Sequence, residues 1–215
     1  MWSREFDAEL MAARRTVLLE KGFEIFTKRG IESVSMQNIA DAAGCGIATL
    51  YRYFDKKQGF VIEVATKKWN EIRELDSKRR EEANIAGMTA AEMLEFYLDG
   101  FLILYREKKD LLRFNQMFNM YVDGAGIEKN ALETYYGMID NFGEYFRLIY
   151  ERAKTDKTVR TDIPETEMFS TTLHLMLAAV TRYAVGLVYK PETGPDDMKE
   201  LETLKAMMLA MYRSV

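Results

Sequence analysis

The chain has 215 residues, of which 48% are hydrophobic and 30% charged, enough apolar material for a small domain beside a larger one. A lone cysteine, Cys45, excludes an internal disulfide framework and a cysteine-rich zinc site. The net charge of −4 excludes nucleic-acid binding by bulk charge: residues 1–60 carry nine Lys/Arg against eight Asp/Glu, and the rest is acidic.

Helix formers dominate, alternating β-branched runs are scarce, and the only prolines are Pro164, Pro191 and Pro195. The expectation is an all-α fold of about nine helices. The opening MWSREFDAEL has no apolar run after a basic start, so no secretory signal is expected. The best apolar stretch, 173–180, falls short of the ~20 residues that cross a bilayer. A soluble, cytoplasmic protein without membrane contact follows as the expectation.

In chain order, the first helix is expected from Asp7 to Arg29, with Leu19, Phe23 and Phe26 as its apolar stripe and Gly30 as its C-terminal cap. Gly22, inside that helix, costs about 1 kcal/mol relative to alanine by helix propensity. Ser35 is the natural N-cap of a short helix, Met36–Ala43. Gly44-Cys45-Gly46 reads as a turn, and Ile47–Tyr53 as a second short helix. A long helix then runs from Lys56 to Glu82, with Asp55 placed to cap it. Further on, Thr89 and Glu92 have capping-box spacing. Breaks fall at 84–88, 108–110, 123–126, 155–163 and 190–195, and Pro164 and Pro195 suit helix starts.

The segment 35–54, SMQNIADAAGCGIATLYRYF, has the pattern of a helix-turn-helix. Two short helices cross steeply only if their contact is small and their turn tolerates positive φ; Ala40 supplies the first and Gly44 the second. Ile39, Ala43, Cys45, Leu50 and Tyr53 fall at the inward positions, although Cys45 and Tyr53 also suit the plain core of a small helical module. Ser35 and the free N–H groups of the helix it caps can hold a phosphate. Ile47, Ala48 and Thr49 open the second helix and face base edges, and Arg52 reaches a base or a phosphate. Apolar Ile47 and Ala48 favour thymine methyls over guanine edges. Tyr51 is expected to pack inside the head.

Arg15, Leu19, Phe26, Gly30, Ile39-Ala40, Ala43-Gly44, Thr49-Leu50-Tyr51, Tyr53-Phe54 and Lys57 resemble the amino-terminal signature of the tetracycline-repressor (TetR) family. The resemblance covers residues 12–62. It implies a three-helix DNA-reading head, a larger helical ligand-binding domain, homodimerisation through the last two helices, and repression relieved by a small molecule. On this basis residues 1–60 form the DNA-binding domain and residues 61–215 the ligand-binding and dimerisation domain. Tyr53 and Lys57 match the family's phosphate-contacting aromatic and lysine, with Lys56 beside them. The chain departs from the pattern at Gly46, where a Ser or Thr often caps the reading helix, and at Gly22, where alanine is usual.

Residues 92–150 are rich in aromatic and methionine side chains at helical spacing, which is the spacing of a core. As a group they also suit an adaptable pocket, because thioethers repack and rings offer flat faces. Phe101, Tyr105, Phe114, Met117, Phe118, Tyr121, Tyr135, Met138, Phe142, Tyr145 and His174 are therefore the candidate ligand-binding residues, for a largely apolar effector. His174, the single histidine, also suits an interior or interface position. The last two helices are apolar on more than one face, which points to Leu173, Leu177, Val180, Leu201, Leu204, Met208 and Met211 as a homodimer interface. No metal set, cofactor loop or catalytic constellation stands out, so neither an enzyme nor a resident cofactor is expected. The rival readings are a ligand-independent DNA-binding dimer, which a body without any cavity would favour, and a helical enzyme.

Overall fold

The computed structural model describes residues 4–186, 188–189 and 196–214, apart from the side chains of residues 4–7 and 141. Among them lie nine α-helices: α1 (Arg4–Arg29), α2 (Met36–Ala42), α3 (Ile47–Tyr51), α4 (Lys57–Glu82), α5 (Ala90–Glu107), α6 (Lys109–Gly124), α7 (Glu133–Asp156), α8 (Glu165–Val185) and α9 (Asp197–Tyr212). Short 3-10 turns occupy Ile85–Gly87 and Lys129–Leu132. The described residues contain no strand, only an isolated bridge between Val159 and Arg213. None of the described helices is long and apolar enough to cross a membrane.

The helix boundaries follow the chain's punctuation. Gly30, at φ +81, closes α1. Thr89 and Glu92 form the expected capping box on α5, the Thr89 hydroxyl accepting from Glu92 N at 3.3 Å and Glu92 accepting from Thr89 N at 2.7 Å. Pro164 is the N-cap of α8 and not its first helical residue, and Gly186 closes that helix at φ +86. Asp196 caps α9, accepting from Lys199 N at 2.8 Å. The break expected at 190–195, with Pro191 and Pro195, lies outside the described residues.

The chain divides into two packing units, each discontinuous in sequence. The first joins residues 1–71 to residues 114–137. Its centre holds Leu18, Phe26, Ile39, Leu50, Phe60, Phe114 and Phe118, all fully buried or nearly so. Phe114 lies edge-on to Phe23 at 5.3 Å and stacks on Phe26 at 6.3 Å. Buried Asn115 accepts from Trp69 Nε1 at 3.2 Å and from the Tyr135 hydroxyl at 3.4 Å, which satisfies three polar groups inside the unit. Glu20 of α1 pairs with Lys67 and Lys68 of α4, each at 2.5 Å. The second unit joins residues 72–113 to residues 138–215. In it α5 packs on α8 and α9, which also pack on each other. Its core includes Leu94, Leu98, Phe146, Ile149, Met176, Val180 and Leu201.

Candidate nucleic-acid interface

The geometry of α2, α3 and their turn is set by a few residues. Ser35 caps α2, its hydroxyl accepting from Asn38 N at 3.2 Å while Asn38 Oδ1 accepts from Ser35 N at 3.0 Å. At the other end, Cys45 N donates to Ala40 O at 3.0 Å and Gly44 N to Asp41 O at 3.1 Å, the paired bonds of a Schellman turn. That turn places Gly44 at φ +65, a left-handed conformation natural to glycine. Ala40 is fully buried, as are Ile39 and Leu50, so the two helices pack through small or apolar side chains. Gly46 caps α3 without a side-chain bond, as a residue lacking a hydroxyl must.

This packing leaves one edge of α3 free. Ala48, Tyr51 and Arg52 are exposed, with Ile47 and Thr49 half-buried beside them. Tyr51 corrects its expected inward placement: 52% of its surface is accessible. Helix α3 ends at Tyr51, two residues before the expected Tyr53, and Tyr51 shares its face with exposed Ala48 three residues earlier, while Leu50 is buried. Tyr51 is thus the residue of this surface that sequence reasoning missed. Tyr53 is half-buried against Phe54, with ring centroids 6.4 Å apart. Its carbonyl oxygen accepts from Arg15 Nη1 at 2.8 Å, and the Arg15 guanidinium also sits 4.5 Å over Phe54 and pairs with Glu63. Arg15 therefore ties the end of α3 to α1 and α4.

The basic residues flanking α3 differ in environment. Lys56 and Arg52 are exposed. Lys57 opens α4 and is half-buried; its ammonium donates to Glu32 O at 3.3 Å and lies 5.5 Å from the Tyr121 ring centre. Burial pushes the Lys57 pKa below its ordinary value, with the Glu32 charge opposing that shift. Ser35 is exposed beside the start of α2.

The residues singled out for a ligand are divided between the two packing units. Phe114, Met117, Phe118, Tyr121 and Tyr135 belong to the first packing unit, whereas Phe101, Tyr105, Met138, Phe142, Tyr145 and His174 belong to the second. Most are buried among other rings; His174 is exposed on α8, on the side away from buried Met176 and Val180. A cavity of about 300 Å³ in the second unit is lined instead by Ile72, Leu75, Asp76 and Arg79 of α4 and by Gly100, Ile103, Leu104 and Glu107 of α5, with Lys108 beyond. Of the residues expected at a dimer interface, Val180, Leu201 and Met208 are turned into their own subunit, Leu173, Leu177 and Leu204 are half-buried, and Met211 is exposed. The described residues bring no three His, Cys, Asp or Glu side chains together as a metal site.

Comparison with known proteins agrees with this geometry. Residues 18–64 match the family model described as "Bacterial regulatory proteins, tetR family". The chain is 33% identical over 92 residues to the "HTH-type transcriptional repressor KstR" of Mycobacterium tuberculosis, a stretch covering 43% of this chain and 40% of that protein. The KstR of Mycolicibacterium smegmatis is 27% identical over 152 residues, 71% of this chain and 68% of that one. The match to the first of these relatives thus spans less than half of its length. Among solved structures, the fold is similar to the regulator FadR of Bacillus subtilis in complex with stearoyl-CoA, with a TM-score of 0.71 at 14% identity over 91% of this chain and 97% of that one. It is also similar to the ketosteroid transcriptional regulator KstR2 of Mycobacterium tuberculosis, with a TM-score of 0.60 at 17% identity over 94% and 96%.

Proposed function

We propose, on the premise that this chain belongs to the TetR family of bacterial regulatory proteins, that it is a repressor binding a palindromic double-stranded DNA operator as a homodimer, released by a small, largely apolar effector. The observation that carries this reading is the free edge of α3, where Ala48, Tyr51 and Arg52 stand clear of their own subunit behind a turn closed by Gly44. Such an edge enters the major groove, where Ile47, Ala48 and Thr49 meet base edges and Ser35, Arg52, Tyr53, Lys56 and Lys57 meet bases or phosphates. In this reading residues 1–60 are the DNA-binding domain and residues 61–215 bind the effector and dimerise. A soluble, cytoplasmic location follows from that role.

Dimerisation rests on the outer faces of α8 and α9. His174, Leu175 and Ala178 are exposed on α8, and Met207, Ala210 and Met211 on α9, a contiguous set of helical positions. Leu175, Met207 and Met211 are 49%, 64% and 54% accessible, apolar side chains on two helices that pack on each other, which a second subunit would cover. A two-fold pair burying these faces presents two reading helices about 34–36 Å apart, one duplex turn.

The effector's route is α4. This helix runs unbroken from Lys57 to Glu82, and its later turns line the 300 Å³ cavity, a volume at the small end of ligand pockets. A ligand that favours one placement of those turns biases Lys57 at the other end, and about 1–3 kcal/mol of coupling changes operator affinity 5–150-fold. The cavity also argues against a dimer that binds DNA regardless of ligand. The named relatives are transcription regulators, and a regulator's role needs no catalytic chemistry from this chain.

The test is selection from a random-sequence duplex library. The wild type is expected to enrich an inverted repeat; Arg52→Ala is expected to weaken binding by about 1–3 kcal/mol, and Lys57→Gln to reduce its salt slope by about one. Enrichment of no sequence, or equal binding by both variants and wild type, would overturn the reading.

A further inference from the structure

The α4–α5 cavity, whose lining lies wholly within the second packing unit, carries charges of two kinds. Half-buried Asp76 and Arg79 are engaged. Arg79 donates to Asp76 at 2.7 Å and to the Phe96 carbonyl oxygen at 3.1 Å, and its guanidinium lies 3.7 Å over the Phe96 ring. Asp76 also pairs with Arg80 at 3.5 Å. Glu107 and Lys108 line the same cavity and are exposed. Among the described residues neither of these two has an ion pair or a side-chain hydrogen bond.

Their place at the end of α5 explains why. Adjacent side chains on a helix diverge, so Glu107 and Lys108 do not pair with each other although both border the cavity. One turn back, Glu107 meets Ile103 and Leu104, and Lys108 meets Leu104 and Tyr105, none of which offers an opposite charge. Lys108 is the C-cap of α5, its N–H donating to Leu104 O at 2.9 Å. Glu107 is the last residue of that helix, where the helix dipole also favours a cation. Apart from Gly100, the rest of the wall is aliphatic: Ile72, Leu75, Ile103 and Leu104.

We infer that this cavity takes a small amphipathic zwitterion, an apolar skeleton carrying one ammonium and one carboxylate, with Glu107 facing the ammonium and Lys108 the carboxylate. The inference rests on the effector-responsive reading above and names the chemistry of its ligand. A singly charged molecule is attracted by one of the two residues and repelled by the other, and an uncharged one engages neither. A zwitterion engages both. Because Glu107 and Lys108 are exposed, the ligand's charged end stays in contact with water and escapes the desolvation penalty of a buried ion pair. Its skeleton meanwhile covers the aliphatic wall, and a volume of about 300 Å³ keeps that skeleton small.

Equilibrium dialysis of the full chain at neutral pH, without DNA, compares L-phenylalanine with 2-phenylethylamine, 3-phenylpropanoate and ethylbenzene, which lack one charge or both. L-Phenylalanine is expected to bind about threefold to fivefold more tightly than either singly charged probe, the worth of one exposed ion pair, and the preference is expected to fade in about 1 M salt. Glu107→Gln is expected to erase its advantage over 3-phenylpropanoate, and Lys108→Gln its advantage over 2-phenylethylamine, each with thermal stability unchanged because no internal bond is lost. Ile103→Trp, which fills the cavity, is expected to abolish binding of every probe with helix content intact. Failure of every probe to bind, binding of another probe as tightly as L-phenylalanine, or a preference that survives both charge variants would overturn the inference. Operator affinity is read separately: if L-phenylalanine binds with the expected preference and leaves that affinity unchanged, the effector-responsive reading fails while the chemistry of the cavity stands.

Discussion

Replacing Gly22 by alanine sets helix propensity against packing, and the structure decides the sign. By propensity alone, alanine inside α1 gains about 1 kcal/mol. A Cβ at Gly22, however, would stand 2.3 Å from Phe60 Cε1 and 2.5 Å from Phe60 Cζ, with Val64 Cγ2 at 3.4 Å. Contacts that short require Phe60 to move. Phe60 is fully buried and held edge-on by Phe54 at 4.6 Å and Phe26 at 6.0 Å, so its displacement spreads through the core of the first packing unit. Overpacking of this kind costs about 1–3 kcal/mol, and the depth of the clash argues for the upper end. The net expectation is a loss of about 2 kcal/mol, or a fall in melting temperature on the order of 4–8 °C for a chain of this length. Circular dichroism at 222 nm during thermal and urea unfolding reads it. Gly22→Ala combined with Phe60→Leu is expected to lose less than the two changes added separately, because the smaller side chain relieves the clash. If Gly22→Ala raises stability by the propensity increment, the close approach of α1 to α4 described above is wrong.

Three further outcomes follow from particular contacts. Tyr121→Leu removes the ring beside the Lys57 ammonium, 5.5 Å away, and is expected to weaken operator binding several-fold with a shallower salt dependence, whereas Tyr121→Phe keeps the ring and the affinity; fluorescence anisotropy at several salt concentrations distinguishes the two. Ser35→Ala is expected to cost about 1 kcal/mol of stability through loss of the α2 cap, read by urea unfolding. Acidification removes a restraint on α5: Asp156 accepts from Ala90 N at 2.7 Å and from Thr158 N at 2.9 Å, and these bonds outweigh burial to hold its pKa below the ordinary value. With the folded pKa depressed, the contribution is present above the unfolded value of about 3.9 and is lost as pH falls through the folded one; Asp156→Asn is expected to flatten the stability profile in that acid range.

What the sequence made legible was punctuated locally. Gly30, Ser35 and Gly44 end or begin helices through their own backbone or side-chain bonds, so α1, α2 and the turn to α3 could be placed from residues adjacent in the chain. Contacts across the chain were less readable. The helical spacing of Phe114 and Phe118 does not reveal that they pack among Phe23, Phe26 and Tyr135 in the unit that carries α3. No propensity scale reveals that Phe60 rests on Gly22. The exposure of Tyr51 follows from the face of α3 that it shares with Ala48, and the residue order alone does not orient that face. His174 and Met208 share the apolar spacing of α8 and α9, yet one is exposed and the other buried because only one side of each helix meets its own subunit.

Tethered cleavage from the edge of α3 measures the claim on which the account depends. With the lone native thiol removed by Cys45→Ser, Ala48→Cys carries an iron chelate on the exposed side of that helix. The selected operator is expected to be cut within the major groove at two symmetric places about one duplex turn apart. Cleavage at one place only, or none beyond that seen with the chelate on Glu202→Cys of α9, would contradict it.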